Sequence, residues 1–171
     1  IDFMIALGDR LSISDKKIVL LVIGDGPNRD QIVGAASTRN WLIYLGSRFG
    51  AERAQYFAAA DFFLHPGAVG LGILDSFAAG LPFVTSNFAG HGPEIAYLDD
   101  GENGLMLPLQ IDQFQAVLIR LLNSPSELAR LRLNAKASGA RYTIENMVEN
   151  ATAGILNCLA SEVMERRRNW Q

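Results

Sequence analysis

The residues of this chain whose types and spacing suit chemistry run from His65 to Thr85: His65-Pro-Gly-Ala-Val-Gly-Leu-Gly-Ile-Leu-Asp-Ser-Phe-Ala-Ala-Gly-Leu-Pro-Phe-Val-Thr85. A short strand ends at Pro66, and a loop of small residues leads straight into a helix. Gly67, Ala68, Gly70 and Gly72 carry too little side chain to cover the backbone N–H groups at that helix start. Such amides suit a diphosphate: the helix dipole contributes about 0.3–1 kcal/mol and each charge-assisted hydrogen bond about 1.5–3 kcal/mol. Asp75 follows on the first turns of the same helix, and paired ribose hydroxyls are natural donors to a carboxylate there. An acidic residue that only complements the helix dipole explains Asp75 equally well.

Other candidate motifs carry less. Gly24-Asp-Gly-Pro27 invites a dinucleotide reading, but the third glycine of G-x-G-x-x-G would fall on Arg29. No acidic residue closes the next strand, Tyr44-Leu-Gly46, so the NAD reading fails twice. A tight turn before a helix also accounts for these glycines. No G-x-x-x-x-G-K-[ST] occurs, which excludes a P-loop. His65 and His91 have no metal-ligand company, and a structural loop histidine is the simpler account of each. The single cysteine, Cys158, can make no internal disulfide and brings no metal-site spacing.

These residues need a scaffold, and the composition supplies one. The 171 residues are 49% hydrophobic and 19% charged, with 16 Gly and 6 Pro. A globular chain of this size buries roughly 70% of its unfolded surface, and the balance argues against disorder, collagen-like repeats and coiled coil. Fifteen basic against 18 acidic side chains, a net charge of −3, give no general reason to bind nucleic acid. The longest purely apolar run, Ile18–Ile23, is too short to span a bilayer. Ile1 is neither a methionine nor the start of a signal-peptide pattern, so the chain is expected to be part of something longer.

Strands and helices alternate. Ile18–Ile23, ended by Gly24, has the look of a strand buried on both faces. Further strands are expected at 41–45, 62–64, 83–85 and 105–107, with helices at 29–37, 51–59 and 71–79 between them. The C-terminal third reads as all helix. Phe114, Val117, Leu118, Leu121 and Leu122 recur at helical spacing, and Ser124-Pro-Ser-Glu127 is a capping box that starts a second helix. Thr143 is expected to cap a last helix that buries Ile155, Leu159 and Met164 or their neighbours. The fold class that follows is α/β, a Rossmann-like parallel sheet with flanking helices and an all-helical C-terminal third, in one domain over residues 1–171.

In order along the chain stand Ile23-Gly-Asp-Gly-Pro27, Tyr44-Leu-Gly46, Ala59-Ala-Asp-Phe-Phe-Leu-His-Pro-Gly67, Gly70-Leu71 through Asp75 to Ala78-Ala-Gly-Leu-Pro82, and Gly92-Pro-Glu-Ile95 with Asp100-Gly-Glu-Asn-Gly104. This set resembles the C-terminal, donor-binding half of the family 4 retaining glycosyltransferases, which have the GT-B fold. The resemblance covers about the whole chain. It implies a domain that binds a nucleotide sugar without metal or cofactor, with base and diphosphate held by loops after the strands. Carried onto this sequence, the donor-binding positions are Gly24, Gly26, Pro27, Gly46, Gly67, Ala68, Val69, Gly70, Leu71 and Asp75. Of the family's E-x7-E motif, the second Glu falls on Asp75 and the first on Gly67, which has no side chain to contact the sugar.

The resemblance also implies that the chain begins in a helix, lacking an upstream strand with its basic diphosphate contacts and the acceptor-binding domain. Gly8-Asp-Arg10 and Lys16-Lys17 do not replace those contacts. In the strand order 3-2-1-4-5-6 the missing strand belongs in the middle, bordered by Ile18–Ile23 and Phe62–Leu64. The implied reaction transfers a glycosyl group with retention, and the fragment alone is expected to be inactive. Alternatives are a nucleotide-sugar epimerase of the same fold and a non-catalytic binding domain. His91 is the one residue worth testing as a catalytic acid or base. The expected partners are the nucleotide-sugar donor and the missing domain, in the cytoplasm. The tail Glu165-Arg-Arg-Arg-Asn-Trp170 could add weak contact with an anionic inner membrane face, though a solvated basic helix end explains it more simply.

Overall fold

The computed structural model describes residues 1–14 and 17–168, with side chains through residue 160. Lys16 and Asn169-Trp170 lie outside these, as do the side chains of Met164 and Glu165–Arg168. The chain forms two compact units, residues 1–139 and 140–171.

The elements up to and across the end of the first unit are α1 (Asp2–Ser12), β1 (Leu20–Ile23), α2 (Arg29–Ala36), β2 (Leu42–Gly46), α3 (Gly50–Ala59), β3 (Phe63–His65), α4 (Gly72–Ala78), β4 (Phe83–Ser86), a 3-10 turn (Pro93–Tyr97), β5 (Gly104–Leu107), α5 (Ile111–Asn123) and α6 (Pro125–Arg141), whose last two residues belong to the second unit. Glycine ends several of them. Gly24 and Gly46 leave β1 and β2 with φ of 137° and 67°, a region that side chains disfavour. At the end of α4, Gly80 at φ 66° lets Leu81 N–H reach the Ser76 carbonyl and Gly80 N–H reach that of Phe77, a Schellman stop.

All strand pairs are parallel, as expected, and they form two sheets. One is β1-β2, with Leu20 beside Leu42; the other is β3-β4-β5, with β4 central and buried along its length. Among the described residues nothing pairs with the remaining edges of β1 and β3. Between them lies a cavity of about 360 Å³, lined among others by Leu20 and Leu21 of β1, Phe63 and Leu64 of β3, Leu7 of α1 and Leu118 of α5. The break falls where the expected strand order places its central strand. It also corrects the reading of β1 as buried on both faces: all four of its residues are only half-buried, and Val19 is 47% exposed. A strand needs a neighbour on each side to be covered, and β1 has one.

The main core joins Leu7 and Leu11 of α1 to Val84, Leu105, Phe114 and Leu118. On α5, Phe114, Leu118 and Leu121 are buried, the i, i+4, i+7 stripe expected. Each such side chain contributes about 1.5–3 kcal/mol. A second cluster, Ile32, Ala35, Trp41 and Leu42, packs α2 on the smaller sheet. Helix α6 starts at Pro125 as expected, but the reciprocal capping box does not form. The Ser124 N–H is already bonded to the Leu121 carbonyl, and the Glu127 carboxylate turns to Arg120 at 3.1 Å.

In the second unit α7 (Ile144–Arg168) begins at Thr143, whose Oγ1 accepts the Asn146 N–H at 3.2 Å, the expected cap. The expected burial on this helix does not occur: Ile155 is 62% and Leu159 55% exposed. An apolar stripe shows which side of a helix can be buried, and here no described element covers it.

Candidate functional site

The loops after β1 and β2 are tied to each other. Gly24 donates its N–H to the Gly46 carbonyl at 2.9 Å, and the Tyr44 hydroxyl donates to the Gly24 carbonyl at 3.0 Å. The Gly26 N–H is taken by the Asp25 carboxylate at 2.8 Å. The amides of Gly24 and Gly26 therefore have partners within the protein. Gly26 and Pro27 remain exposed, and the space above Gly26 is open.

The loop Gly67–Leu71 is held from beneath by four polar side chains. Thr85 and Ser86 at the end of β4 donate their hydroxyls to the carbonyls of His65 (2.7 Å) and Pro66 (2.6 Å). His65 Nε2 donates to the Ala68 carbonyl at 2.8 Å. His91 Nδ1 accepts the Val69 N–H at 3.1 Å, so its proton sits on Nε2, which donates to the Ser86 carbonyl at 2.7 Å. Gly92 completes the clamp by donating its N–H to the Val69 carbonyl at 3.2 Å.

This network sorts the expected loop residues. Val69 is the anchor, 2% exposed and with its N–H engaged by His91. That removes its amide from the set expected to meet a diphosphate. Gly67, Ala68, Gly70 and Leu71 face outward, and nothing stands within 4 Å of a Cβ built on Gly67 or Gly70. His91 is tied into the same network on both sides of its ring. Both of its ring nitrogens are occupied, so it has no proton or lone pair to lend a reacting group without breaking the clamp.

Asp75, in the first turn of α4, is bonded to Arg53 of α3: the guanidinium Nη2 donates to Oδ1 at 2.7 Å. Each side chain of the pair is 38% exposed. Helix α3 leaves the carboxyl end of β2 and α4 leaves that of β3, so this contact brings the carboxyl ends of the two sheets together. The loops at Gly24–Pro27, Gly46–Arg48 and Gly67–Leu71 thus share one edge, the position where open parallel sheets bind ligands. Sequence reasoning missed Arg53, because nothing in Gly50–Ala59 except an acidic partner 22 residues away distinguishes it from a solvated helix cation. It missed Thr85 and Ser86 too; two hydroxyls closing a buried strand were the signal available.

Among the described residues no group of three His, Cys, Asp or Glu side chains could hold a metal ion, and no helix is long and apolar enough to cross a membrane.

Solved structures share this fold. HepE of Anabaena, crystallised with UDP and glucose, superposes with a TM-score of 0.69 at 20% identity, over 86% of this chain and 43% of its own. The pneumococcal O-GlcNAc transferase GtfA, with UDP and GlcNAc, gives 0.71 at 17% identity over 92% and 33%. A mutant of Staphylococcus aureus TarM, in a complex that includes UDP, gives 0.74 at 16% identity over 89% and 32%. The chain thus spans less than half the length of each. The fold is that of GT-B glycosyltransferases. None of the curated proteins matches the chain in sequence. A family model described as "Glycosyl transferases group 1" matches residues 2–124, from the first turn of α1 past the end of α5, and the chain belongs to that family.

Proposed function

We propose that this chain is the donor-binding part of a retaining glycosyltransferase of family 4 type, which takes a glycosyl group from a nucleoside diphosphate sugar without metal or cofactor. The observation that carries the reading is the convergence of Gly46, Gly67–Leu71 and Asp75 on one edge of the sheets. Family membership supports it, as do the fold relatives crystallised with UDP. In this reading Asp75 accepts hydrogen bonds from the ribose hydroxyls. The outward-facing loop residues Gly67, Ala68, Gly70 and Leu71 meet the diphosphate, and the loops at Gly26-Pro27 and Gly46 meet the nucleoside. Charge grows on the diphosphate as the glycosidic bond breaks, and preorganised donors aimed at it lower the barrier.

The clamp of His65, His91, Thr85 and Ser86 would hold that loop in place before the donor arrives. In this reading residues 1–171 supply the donor side of the reaction, and transfer also needs a surface that binds the acceptor. The protein works in the cytoplasm, with at most weak contact to a membrane face. Calorimetric titration with UDP, GDP, ADP and TDP tests the reading: micromolar to millimolar binding of one of them supports it, and binding of none refutes it. Product NMR of the full-length enzyme then reads the anomeric configuration, and inversion would refute retention.

A further inference from the structure

The geometry points to Arg53 as the cation that recognises the donor's phosphates, acting as one unit with Asp75; this rests on the nucleotide-sugar reading and extends it. A bound nucleoside diphosphate brings at least two negative charges to this edge, yet the loops supply almost no basic side chain. Gly24–Pro27 and Gly67–Leu71 contain none, and in Gly46-Ser-Arg48 the Arg48 Nε lies 3.2 Å from Glu52. Arg53 is one turn further on, at the start of α3, where it joins the helix that follows the diphosphate loop.

Its own contacts leave it equipped for a ligand. One of the five guanidinium N–H groups goes to Asp75 Oδ1, and the guanidinium lies over the Phe57 ring, 5.6 Å from its centroid. Among the described residues the other donors have no partner, and neither has Asp75 Oδ2. Donors and acceptor therefore stand side by side at a half-exposed edge. That pairing matches a ligand with an anionic phosphate next to a ribose diol. Asp75 holds the planar guanidinium, so its fork is aimed before the ligand binds. The alternative geometry, in which Arg53 only occupies Asp75 and must leave before ribose binds, predicts the opposite sign of effect.

The test is titration of UDP, UMP and uridine into the protein and its Arg53→Gln and Arg53→Lys variants, with melting temperatures as folding controls. Loss of charge-assisted hydrogen bonds should weaken UDP binding by about tenfold or more in Arg53→Gln, and uridine binding by less than about threefold. Arg53→Lys, which keeps the charge without the fork, should fall between. UDP affinity that is unchanged or tighter in Arg53→Gln overturns the assignment while leaving the nucleotide reading standing. An equal loss for uridine and UDP also overturns it, since that marks a role in orienting Asp75 only. If the unaltered protein binds no nucleoside diphosphate at all, both the reading and the assignment fall.

Discussion

Val69 donates its backbone N–H to the Nδ1 of His91 at 3.1 Å, across 22 residues of chain. The same ring donates from Nε2 to the carbonyl of buried Ser86, so one side chain satisfies two interior backbone groups. His91→Ala should therefore lower stability, by about 1–3 kcal/mol for each group left unpaired, measured by urea or thermal unfolding. Donor affinity should fall with it as the loop loosens. A variant with full stability and normal donor binding but no turnover would instead mark His91 as a catalytic group.

Asp75 should behave in the reverse manner. Its side chain is 38% exposed, and its partner Arg53 is equally exposed and free to take water. Asp75→Ala is expected to weaken nucleotide binding by about 1–3 kcal/mol, the scale of a hydrogen bond to a charged group. The melting temperature should barely move. Lost stability with unchanged affinity would assign Asp75 to the helix dipole alone.

Two glycines separate access from packing. A Cβ on Gly70 meets nothing within 4 Å, whereas one on Gly139 would stand 2.5 Å from the Phe77 carbonyl oxygen, where α6 crosses α4. Gly70→Val should block a ligand while changing stability by no more than about 0.5 kcal/mol. Gly139→Ala must push two backbones apart and should cost about 1–3 kcal/mol. Unfolding curves for the pair, with nucleotide titration of the first, check both.

Acid should weaken the link between α1 and the end of α2. Arg39 donates from Nε and Nη2 to both oxygens of Asp9, at 2.8 and 3.0 Å. These hydrogen bonds, with the attraction between the charges, hold the Asp9 carboxyl below its ordinary value of 3.8. A carboxyl depressed on folding contributes its stabilisation in full above that ordinary value and loses it as pH falls through the lower, folded one. The stability difference between the protein and its Asp9→Asn variant should be constant at neutral pH and shrink toward zero in acid below pH 3.8. Urea unfolding across pH 2–7 reads it.

The divided sheet makes a prediction for hydrogen exchange. Strand β4 is paired on both sides and buried throughout, while β1 and β3 each pair on one side and face the cavity with the other. Amides of Val84 and Thr85 should exchange slowest, and those in Leu20–Ile23 and Phe63–His65 markedly faster. The same open edges should make residues 1–171 prone to association when expressed alone. Equal protection across all three strands would show that the gap closes in solution.

Much of the architecture was legible from residue order, because local signals are short-range. Short apolar runs bounded by turn residues placed all five strands within two residues, and the Phe114-Leu118-Leu121 stripe named the buried face of α5. The family was legible for the same reason: its motifs are the loops that follow each strand. What the sequence could not determine were relations between residues distant along the chain. Whether β1 is covered depends on a neighbouring strand, and whether Ile155 is buried depends on a surface to receive it. That the amides of Val69 and Gly24 are spent, that His91 is a clamp, and that Arg53 meets Asp75 were decided only by tertiary structure. A hydrogen bond requires its donor and acceptor to meet in space, and nothing local to either residue records the other.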